Sequence, residues 1–142
     1  MEQGWLYKEN GVSADTHAKI LYIEDDQEMI DLVSLILSRR GYEVKGAQGG
    51  RNGLEAIRNE SFDLVLLDLM MPDLDGWDLY HILKSDEKTR DVPVIVITAK
   101  SQPIDKVLGL YIAKVEDYIS KPFHPNELVA SVEKVLSITP LT

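Results

Sequence analysis

The 142-residue sequence contains no cysteine. It therefore has no disulfide framework, no thiolate metal site and no cysteine nucleophile. Basic residues are in the minority, with 15 Lys and Arg against 24 Asp and Glu, and the formal net charge is −9. This balance argues against direct nucleic-acid binding, because affinity for a phosphate backbone depends on clustered positive charges that release counterions.

Long hydrophobic runs are also lacking. The longest are short segments such as residues 92–99, far below the roughly 18 residues that a membrane span needs. Residues 1–15 lack the basic and apolar layout of a secretory signal. We therefore expect a soluble, cytoplasmic protein that does not associate with membranes. The length predicts one domain, and 44% hydrophobic with 27% charged residues is an ordinary globular composition.

Strand and helix patterns alternate along the chain after an extension, residues 1–18, in which no period is sustained. Short apolar runs predict five strands, at 19–23, 42–47, 64–67, 93–98 and 118–120. Apolar residues at helical spacing predict five helices, at about 29–37, 51–59, 77–84 and 104–111 and from Pro125 onward. Such alternation predicts a doubly wound parallel sheet with helices on both faces. This α/β domain occupies residues 19–139 and leaves a tail at 140–142.

Polar residues end most of the predicted strands. They are Glu24, Asp25 and Asp26 after the first strand, Asp68 after the third, Thr98 after the fourth and Lys121 after the fifth. In an open parallel sheet, ligands bind beyond the carboxyl ends of the strands, so these groups are expected to converge. Carboxylates suit Mg²⁺, and a carboxylate can attack a phosphoryl group. An ammonium and a hydroxyl beside it would stabilise the transferred charge.

Each of these residues also has an ordinary structural interpretation. An aspartate after a strand, such as Asp26 or Asp73, is usually a helix cap or a loop residue. A lysine before proline is usually a solvated charge, and a threonine at a strand end usually satisfies backbone groups. The conjunction of these residues at four strand ends, rather than any one of them, favours a functional site.

Four segments together resemble the receiver domain of bacterial two-component response regulators. They read KILYIEDD, DLVLLDLMMPDLDGWDL, VIVITAK and DYISKPF, and the resemblance covers residues 19–137. It implies a flavodoxin-like sheet with the strand order 2-1-3-4-5. It also implies a signalling switch, not an enzyme with an external substrate, that accepts a phosphoryl group from a sensor histidine kinase or a phosphotransfer protein. The output surface would comprise the fourth helix, fifth strand and fifth helix, which could also support a homodimer.

The resemblance assigns the metal site and the phosphoacceptor. Asp68 matches the aspartate that is phosphorylated in the family. Mg²⁺, or Mn²⁺ in its place, would be bound by Asp25, Asp68 and the backbone carbonyl of Met70. Glu24 would contact the ion directly or through a water molecule.

Further residues are assigned to the phosphorylated state by the same resemblance. Thr98 would bond a phosphoryl oxygen, Lys121 would form an ion pair with the phosphoryl group, and small Ala99 would leave room for it. Tyr118 matches the aromatic switch residue that moves inward with Thr98. The peptide bond between Lys121 and Pro122 is expected to be cis.

One segment departs from the family pattern. A Gly-Ala pair usually precedes the switch strand, whereas this chain has Lys114 and Val115. Glycine would allow a positive backbone dihedral that the β-branched Val115 resists. We therefore expect a reshaped turn, with an effect on Tyr118 and the output surface but not on the phosphorylation residues.

Two other functions are weighed against the switch. The first is a Mg²⁺-dependent phosphatase or phosphotransferase that forms an aspartyl intermediate on an external substrate. Its expected D-x-D-x-[TV] pattern is broken by Trp77 after Asp73 and Asp75. The second is a receiver-like binding module that works without phosphorylation. The complete set of site residues counts against it, while Lys114 and Val115 leave it open.

Overall fold

The structure, a computed structural model, describes residues 18–100 and 102–138. Its five parallel strands form one sheet in the order β2-β1-β3-β4-β5, which confirms the expected topology. Of the predicted extension and tail, all but Ala18 lies outside the described residues. The strands are β1 (Lys19–Glu24), β2 (Glu43–Gln48), β3 (Leu64–Leu67), β4 (Val94–Thr98) and β5 (Asp117–Ser120).

Five helices connect and follow the strands. Asp26 caps the first helix by accepting a hydrogen bond from the Glu28 N–H at 2.9 Å, and Asp75 caps the third by accepting one from the Trp77 N–H at 2.8 Å. No helix in the described part of the chain is long and apolar enough to cross a membrane. The helices are α1 (Gln27–Ser38), α2 (Gly50–Asn59), α3 (Gly76–Ser85), α4 (Pro103–Val107) and α5 (Pro125–Ile138).

The sheet is covered on both faces, as its continuous apolar strands predict. All four residues of β3 are buried, and they alternate between two core clusters. Leu64 and Leu66 pack with residues of α1 and α5 on one face. Val65 and Leu67 pack with residues of α2 and α3 on the other. Burial on both faces leaves the polar ends of the strands as the place for chemistry.

The segment after β4 is helical but does not follow the predicted pattern of burial. Helix α4 continues into a π-helix, Leu108–Ala113, which we call the π segment. The apolar period correctly indicates a helix, yet Ile104, Val107, Leu108 and Tyr111 are 58%, 45%, 46% and 72% exposed. Because Ile104 and Val107 are exposed within α4 itself, the apolar period identifies a helix here but not a buried face.

The turn after the π segment has a positive dihedral at Lys114, where the family pattern has glycine, and the expected reshaping of this turn stays a prediction. Lys114 adopts the left-handed conformation with φ 65° and ψ 40°, and Val115 carries no positive dihedral. The N–H of Val115 donates a hydrogen bond to the Gly109 carbonyl at 3.0 Å, and its side chain is buried. The strain of the missing glycine thus lies on Lys114.

Candidate functional site

The sheet brings the polar residues at its strand ends together at one edge. Glu24 is the last residue of β1, and Thr98 is the last residue of β4. Asp68 directly follows β3, and Lys121 directly follows β5. In the sheet, β4 lies between β3 and β5. The Lys121 N–H donates a hydrogen bond to the Thr98 carbonyl at 2.9 Å. The Lys121 ammonium then lies 2.5 Å from Glu24 Oε1 and 3.5 Å from Asp68 Oδ2.

Glu24 is a buried carboxylate with a complete set of donors. Its Oε1 accepts hydrogen bonds from the Tyr22 hydroxyl at 2.8 Å and from the Lys121 ammonium. Its Oε2 accepts from the backbone N–H groups of Asp25 and Asp26 at 3.0 and 3.1 Å. Burial by itself would raise the pKa of Glu24, but the hydrogen bonds from Lys121, Tyr22 and the Asp26 backbone outweigh it and hold the pKa below its ordinary value.

Asp68 is also buried, but it has fewer partners. Its Oδ1 accepts a hydrogen bond from the Met70 N–H at 3.2 Å. Burial and then the negative charge of Glu24 raise the pKa of Asp68, against the opposing effects of Lys121, Met70 and Thr98. Two neighbouring carboxylates thus share one ammonium, and Asp68 holds the smaller share. A buried carboxylate whose charge is only partly balanced favours binding of a further cation beside it.

The end of β3 is packed closely against the start of α3, which sets the backbone around Asp68. Gly76 lies at this contact, and its N–H donates a hydrogen bond to the Leu69 carbonyl at 3.1 Å. A Cβ at Gly76 would lie 2.4 Å from the Leu69 Cα and 2.5 Å from the Asp68 carbonyl oxygen. Because both of these are backbone atoms, only glycine allows this approach.

Thr98 and Tyr118 contact opposite ends of the same residue in the loop after β4. The Lys100 N–H donates a hydrogen bond to the Thr98 hydroxyl at 3.3 Å, and the Tyr118 hydroxyl donates one to the Lys100 carbonyl. Thr98 and Tyr118 are both buried, so the aromatic ring points inward. Burial, followed by the charges of Asp105 and Asp68, raises the pKa of Tyr118 to about 12, which keeps its hydroxyl protonated at neutral pH.

The remaining predicted residues lie at the rim of the site. Asp25 and Ala99 are exposed, and Met70 is 59% exposed. The Lys121–Pro122 peptide bond is cis, as expected. An open cavity of about 900 Å³ lies between the loops after β3 and β4, and its lining includes Met70 and Ala99. The cavity opens to solvent beside Met70 and Ala99.

The donor set suits Mg²⁺ better than a metal that needs many protein ligands. Within residues 18–100 and 102–138, no three His, Cys, Asp or Glu side chains form a ready-made metal cage. Mg²⁺ commonly keeps several waters and takes one or two carboxylates. Asp25 and Asp68 would supply two, whereas the oxygens of Glu24 already have four donors. The partly uncompensated charge of Asp68 fits a cation at this position.

Sequence reasoning missed one contact within the site and did not indicate which helix a loop aspartate outside the site would cap. Tyr22 lies two residues before Glu24 on β1, and the period of two in a strand places both side chains on one face. Asp73 caps α2 from a distant loop, since it accepts hydrogen bonds from the N–H groups of Gly50 and Arg51 at 3.0 and 3.1 Å. The strand period could have indicated the first contact, but no local pattern indicates the second.

Comparison with known proteins agrees with this geometry. The family model of the response regulator receiver domain matches residues 20–133. The chain belongs to this family. It is 42% identical over 121 residues to a CpxR homolog, a transcriptional regulatory protein of Haemophilus influenzae, covering 84% of this chain and 50% of that protein. It is 39% identical over 118 residues to the regulatory protein VanRc of Enterococcus gallinarum, covering 83% and 49%.

Solved structures of receiver domains have the same fold. A CheY-like receiver domain protein from Methanospirillum hungatei superposes with a TM-score of 0.77 at 30% identity, covering 86% of this chain and 95% of that one. The receiver domain of a histidine kinase from Syntrophus aciditrophicus gives 0.78 at 31% identity, covering 88% and 94%. The chain spans about half the length of the curated relatives it matches. As a receiver domain it is a signalling module of two-component systems.

Proposed function

We propose that this receiver domain is a switch that is phosphorylated on Asp68. The phosphoryl donor is a phosphohistidine on a sensor histidine kinase or on a phosphotransfer protein. The observation that carries the proposal is the position of the Lys121 ammonium, bonded to Glu24 and 3.5 Å from Asp68. An ammonium between two buried carboxylates can move from Glu24 to Asp68 when phosphorylation adds negative charge to Asp68.

Asp25, Asp68 and the backbone carbonyl of Met70 would bind Mg²⁺, or Mn²⁺ in its place. Because Glu24 already accepts four hydrogen bonds, we assign it a contact with the ion through water. The bound ion would neutralise charge on the carboxylates and on the oxygens of the incoming phosphoryl group. Orientation of the nucleophile remains the task of the residues around Asp68.

In the transfer step, a carboxylate oxygen of Asp68 attacks the phosphorus of the phosphohistidine. The new O–P bond forms as the P–N bond breaks, and the imidazole nitrogen leaves with the electron pair. Thr98 and Lys121 would bond the transferred oxygens, with Ala99 leaving room for them. Water later attacks the same phosphorus and regenerates Asp68 with release of phosphate, so the domain catalyses only its own phosphorylation and dephosphorylation.

The signal would leave through the surface of α4, the π segment, β5 and α5. Thr98 and Tyr118 contact opposite ends of Lys100, so a shift of the Thr98 hydroxyl toward a phosphoryl group changes the loop that leads into α4. Tyr111 and Ile112, 72% and 71% exposed, offer apolar contacts there. A downstream protein or a second copy of the chain would bind this surface, and the domain itself would not bind nucleic acid.

Phosphorylation can be tested directly on the purified chain. With Mg²⁺ and acetyl phosphate as donor, we expect mass spectrometry to find one added phosphoryl group that is lost in base. Asp68→Asn should abolish it, whereas the control Asp73→Asn, which changes an aspartate outside the phosphorylation site, should retain it. An adduct that survives Asp68→Asn would refute the assignment. Repeated turnover of a phosphoester would indicate a phosphatase instead.

A further inference from the structure

Tyr22 carries a hydroxyl into the middle of the sheet. It is the central residue of β1 and is fully buried between β2 and β3. For packing alone an apolar side chain would serve, as at Ile20 and Ile23, which are buried in the same strand. The hydroxyl has one partner, Glu24 Oε1, at 2.8 Å. The hydrogen bond to Glu24 therefore offsets the cost of burying the hydroxyl.

The four donors of Glu24 differ in how far they can move. The hydroxyl of Tyr22 and the N–H groups of Asp25 and Asp26 belong to β1 and to the turn that follows it. The Lys121 ammonium comes from the end of β5 on a flexible side chain and also lies 3.5 Å from Asp68. If Lys121 moves to a phosphoryl group on Asp68, the Tyr22 hydroxyl is the one protein donor that Glu24 Oε1 retains among the described residues.

We propose that Tyr22 is a positioning residue that holds Glu24 Oε1 while Lys121 transfers its ammonium to the phosphoryl group. The inference rests on the proposed phosphorylation of Asp68. A buried carboxylate oxygen without a donor is costly. Without the Tyr22 hydroxyl, release of Lys121 would leave such an oxygen, so Glu24 would retain the ammonium. Tyr22 thereby lowers the free-energy cost of releasing Lys121 from Glu24 without contacting the phosphoryl group.

A purely structural role for Tyr22 makes different predictions. A ring that only fills the core would be replaced by phenylalanine with no effect on the site. A hydroxyl that only orients Glu24 for the metal would affect Mg²⁺ binding. In the proposed role, loss of the hydroxyl leaves core packing and Mg²⁺ binding of the resting protein unchanged. It affects the step in which a phosphoryl group, or its mimic beryllofluoride, recruits Lys121.

The test compares Tyr22→Phe with Tyr42→Phe in the full chain. Tyr42 is a half-buried tyrosine that packs against the same core cluster, and it precedes Glu43, which pairs with Lys19 at the end of β1 opposite Glu24, so it is the matched control. Titration calorimetry measures Mg²⁺ affinity and then beryllofluoride affinity at saturating Mg²⁺. For Tyr22→Phe we expect Mg²⁺ affinity within about twofold of wild type and beryllofluoride affinity weakened roughly ten- to 150-fold, the range for a lost hydrogen bond to a charged group. Tyr42→Phe should change neither.

A second measurement separates this role from general damage. In a Lys121→Ala background no ammonium is released, so adding Tyr22→Phe should change beryllofluoride affinity less than twofold. An undiminished loss in that background would overturn the proposal, as would wild-type beryllofluoride affinity in Tyr22→Phe. Failure of Tyr22→Phe to fold would also overturn it, because the hydroxyl would then be needed for folding. Absence of beryllofluoride binding by wild type would instead refute the proposed function.

Discussion

Lys121 and Glu24 are 97 residues apart in sequence, and their side chains meet at 2.5 Å across the edge of the sheet. The side chain of Glu24 is 2% exposed and that of Lys121 is 18% exposed, so the pair is largely removed from solvent. In the resting protein the ammonium interacts more strongly with Glu24 than with Asp68, whose Oδ2 lies 3.5 Å away. Phosphorylation would reverse this preference by placing a dianionic group on Asp68.

Replacement of Lys121 tests this arrangement. For Lys121→Ala we expect Mg²⁺ affinity within about threefold of wild type, because the ammonium is not a metal ligand, and loss of the beryllofluoride-induced change in tryptophan fluorescence. The free energy of unfolding without metal should fall by about 1–3 kcal/mol, because a buried carboxylate loses its charged partner. Titration calorimetry, fluorescence and urea denaturation measure the three quantities.

Arg40→Ala provides the control for Lys121→Ala. Arg40 pairs with Glu133 at 3.7 Å, and both side chains are about half exposed. An exposed pair of this kind contributes little, so its loss should cost less than about 1 kcal/mol and leave the site unchanged. Loss of Mg²⁺ binding in Lys121→Ala would contradict the role given to the ammonium.

Asp68 should destabilise the metal-free domain at neutral pH. Burial and the charge of Glu24 raise the pKa of Asp68, so the folded protein holds this proton more tightly than the unfolded chain does. The cost of ionising Asp68 therefore appears as the pH rises above the ordinary carboxyl pKa of about 3.9. At pH 7 we expect Asp68→Asn to raise the Tm by roughly 3–5 °C, and the gain should shrink as the pH falls toward about 4 and be absent at lower pH.

Thermal unfolding of wild type and Asp68→Asn across pH measures the difference in Tm. Because Glu24 is present in both proteins, the stabilising effect of its lowered pKa cancels in the comparison. Addition of Mg²⁺ should raise the Tm of wild type more than that of Asp68→Asn, since ligand binding stabilises the folded state. Equal Tm values at pH 7 without metal would show that Lys121 compensates Asp68 fully.

Much of the site follows from the sequence because it lies at strand ends. The runs before Asp68 and Thr98 are apolar at both parities, so each strand must lie inside a covered sheet, and its polar end must reach the edge. The partners within that edge do not follow in the same way. Whether Lys121 bonds Glu24 or Asp68 depends on distances of an ångström, which no sequence pattern encodes.

The region around α4 shows where sequence patterns fail. Its apolar residues repeat at helical spacing, yet the stripe is exposed and the buried residue is Gly109. Local propensity and period describe an isolated helix, whereas the π segment is shaped by its contacts with Tyr118 and Trp77. The left-handed conformation of Lys114 likewise does not follow from its residue type, because lysine has no local preference for a positive φ.

The left-handed conformation of Lys114 predicts a stabilising substitution. At φ 65° a Cβ approaches the following backbone, which costs about 1–2 kcal/mol for a residue other than glycine. Lys114→Gly should therefore raise the free energy of unfolding by about 0.5–1 kcal/mol after the greater freedom of glycine in the unfolded chain is deducted. Lys114→Ala retains the Cβ and should bring no gain. Equal gains in urea denaturation would attribute the effect to the lysine side chain instead.

Gly109 leaves the space that the Tyr118 ring occupies. A Cβ at Gly109 would lie 2.7 Å from Tyr118 Cδ2 and 3.0 Å from Cε2. Gly109→Ala should therefore push the ring outward and break its hydrogen bond to the Lys100 carbonyl, at a cost of about 1–3 kcal/mol in urea denaturation. Modification of Asp68 by acetyl phosphate should continue, because Gly109 lies outside the phosphorylation site. Tyr118→Ala removes the ring, so in that background the added methyl group should cost less than about 0.5 kcal/mol. Additive costs in the two variants would mean that the methyl group disturbs the π segment itself and that Gly109 does not control the position of Tyr118.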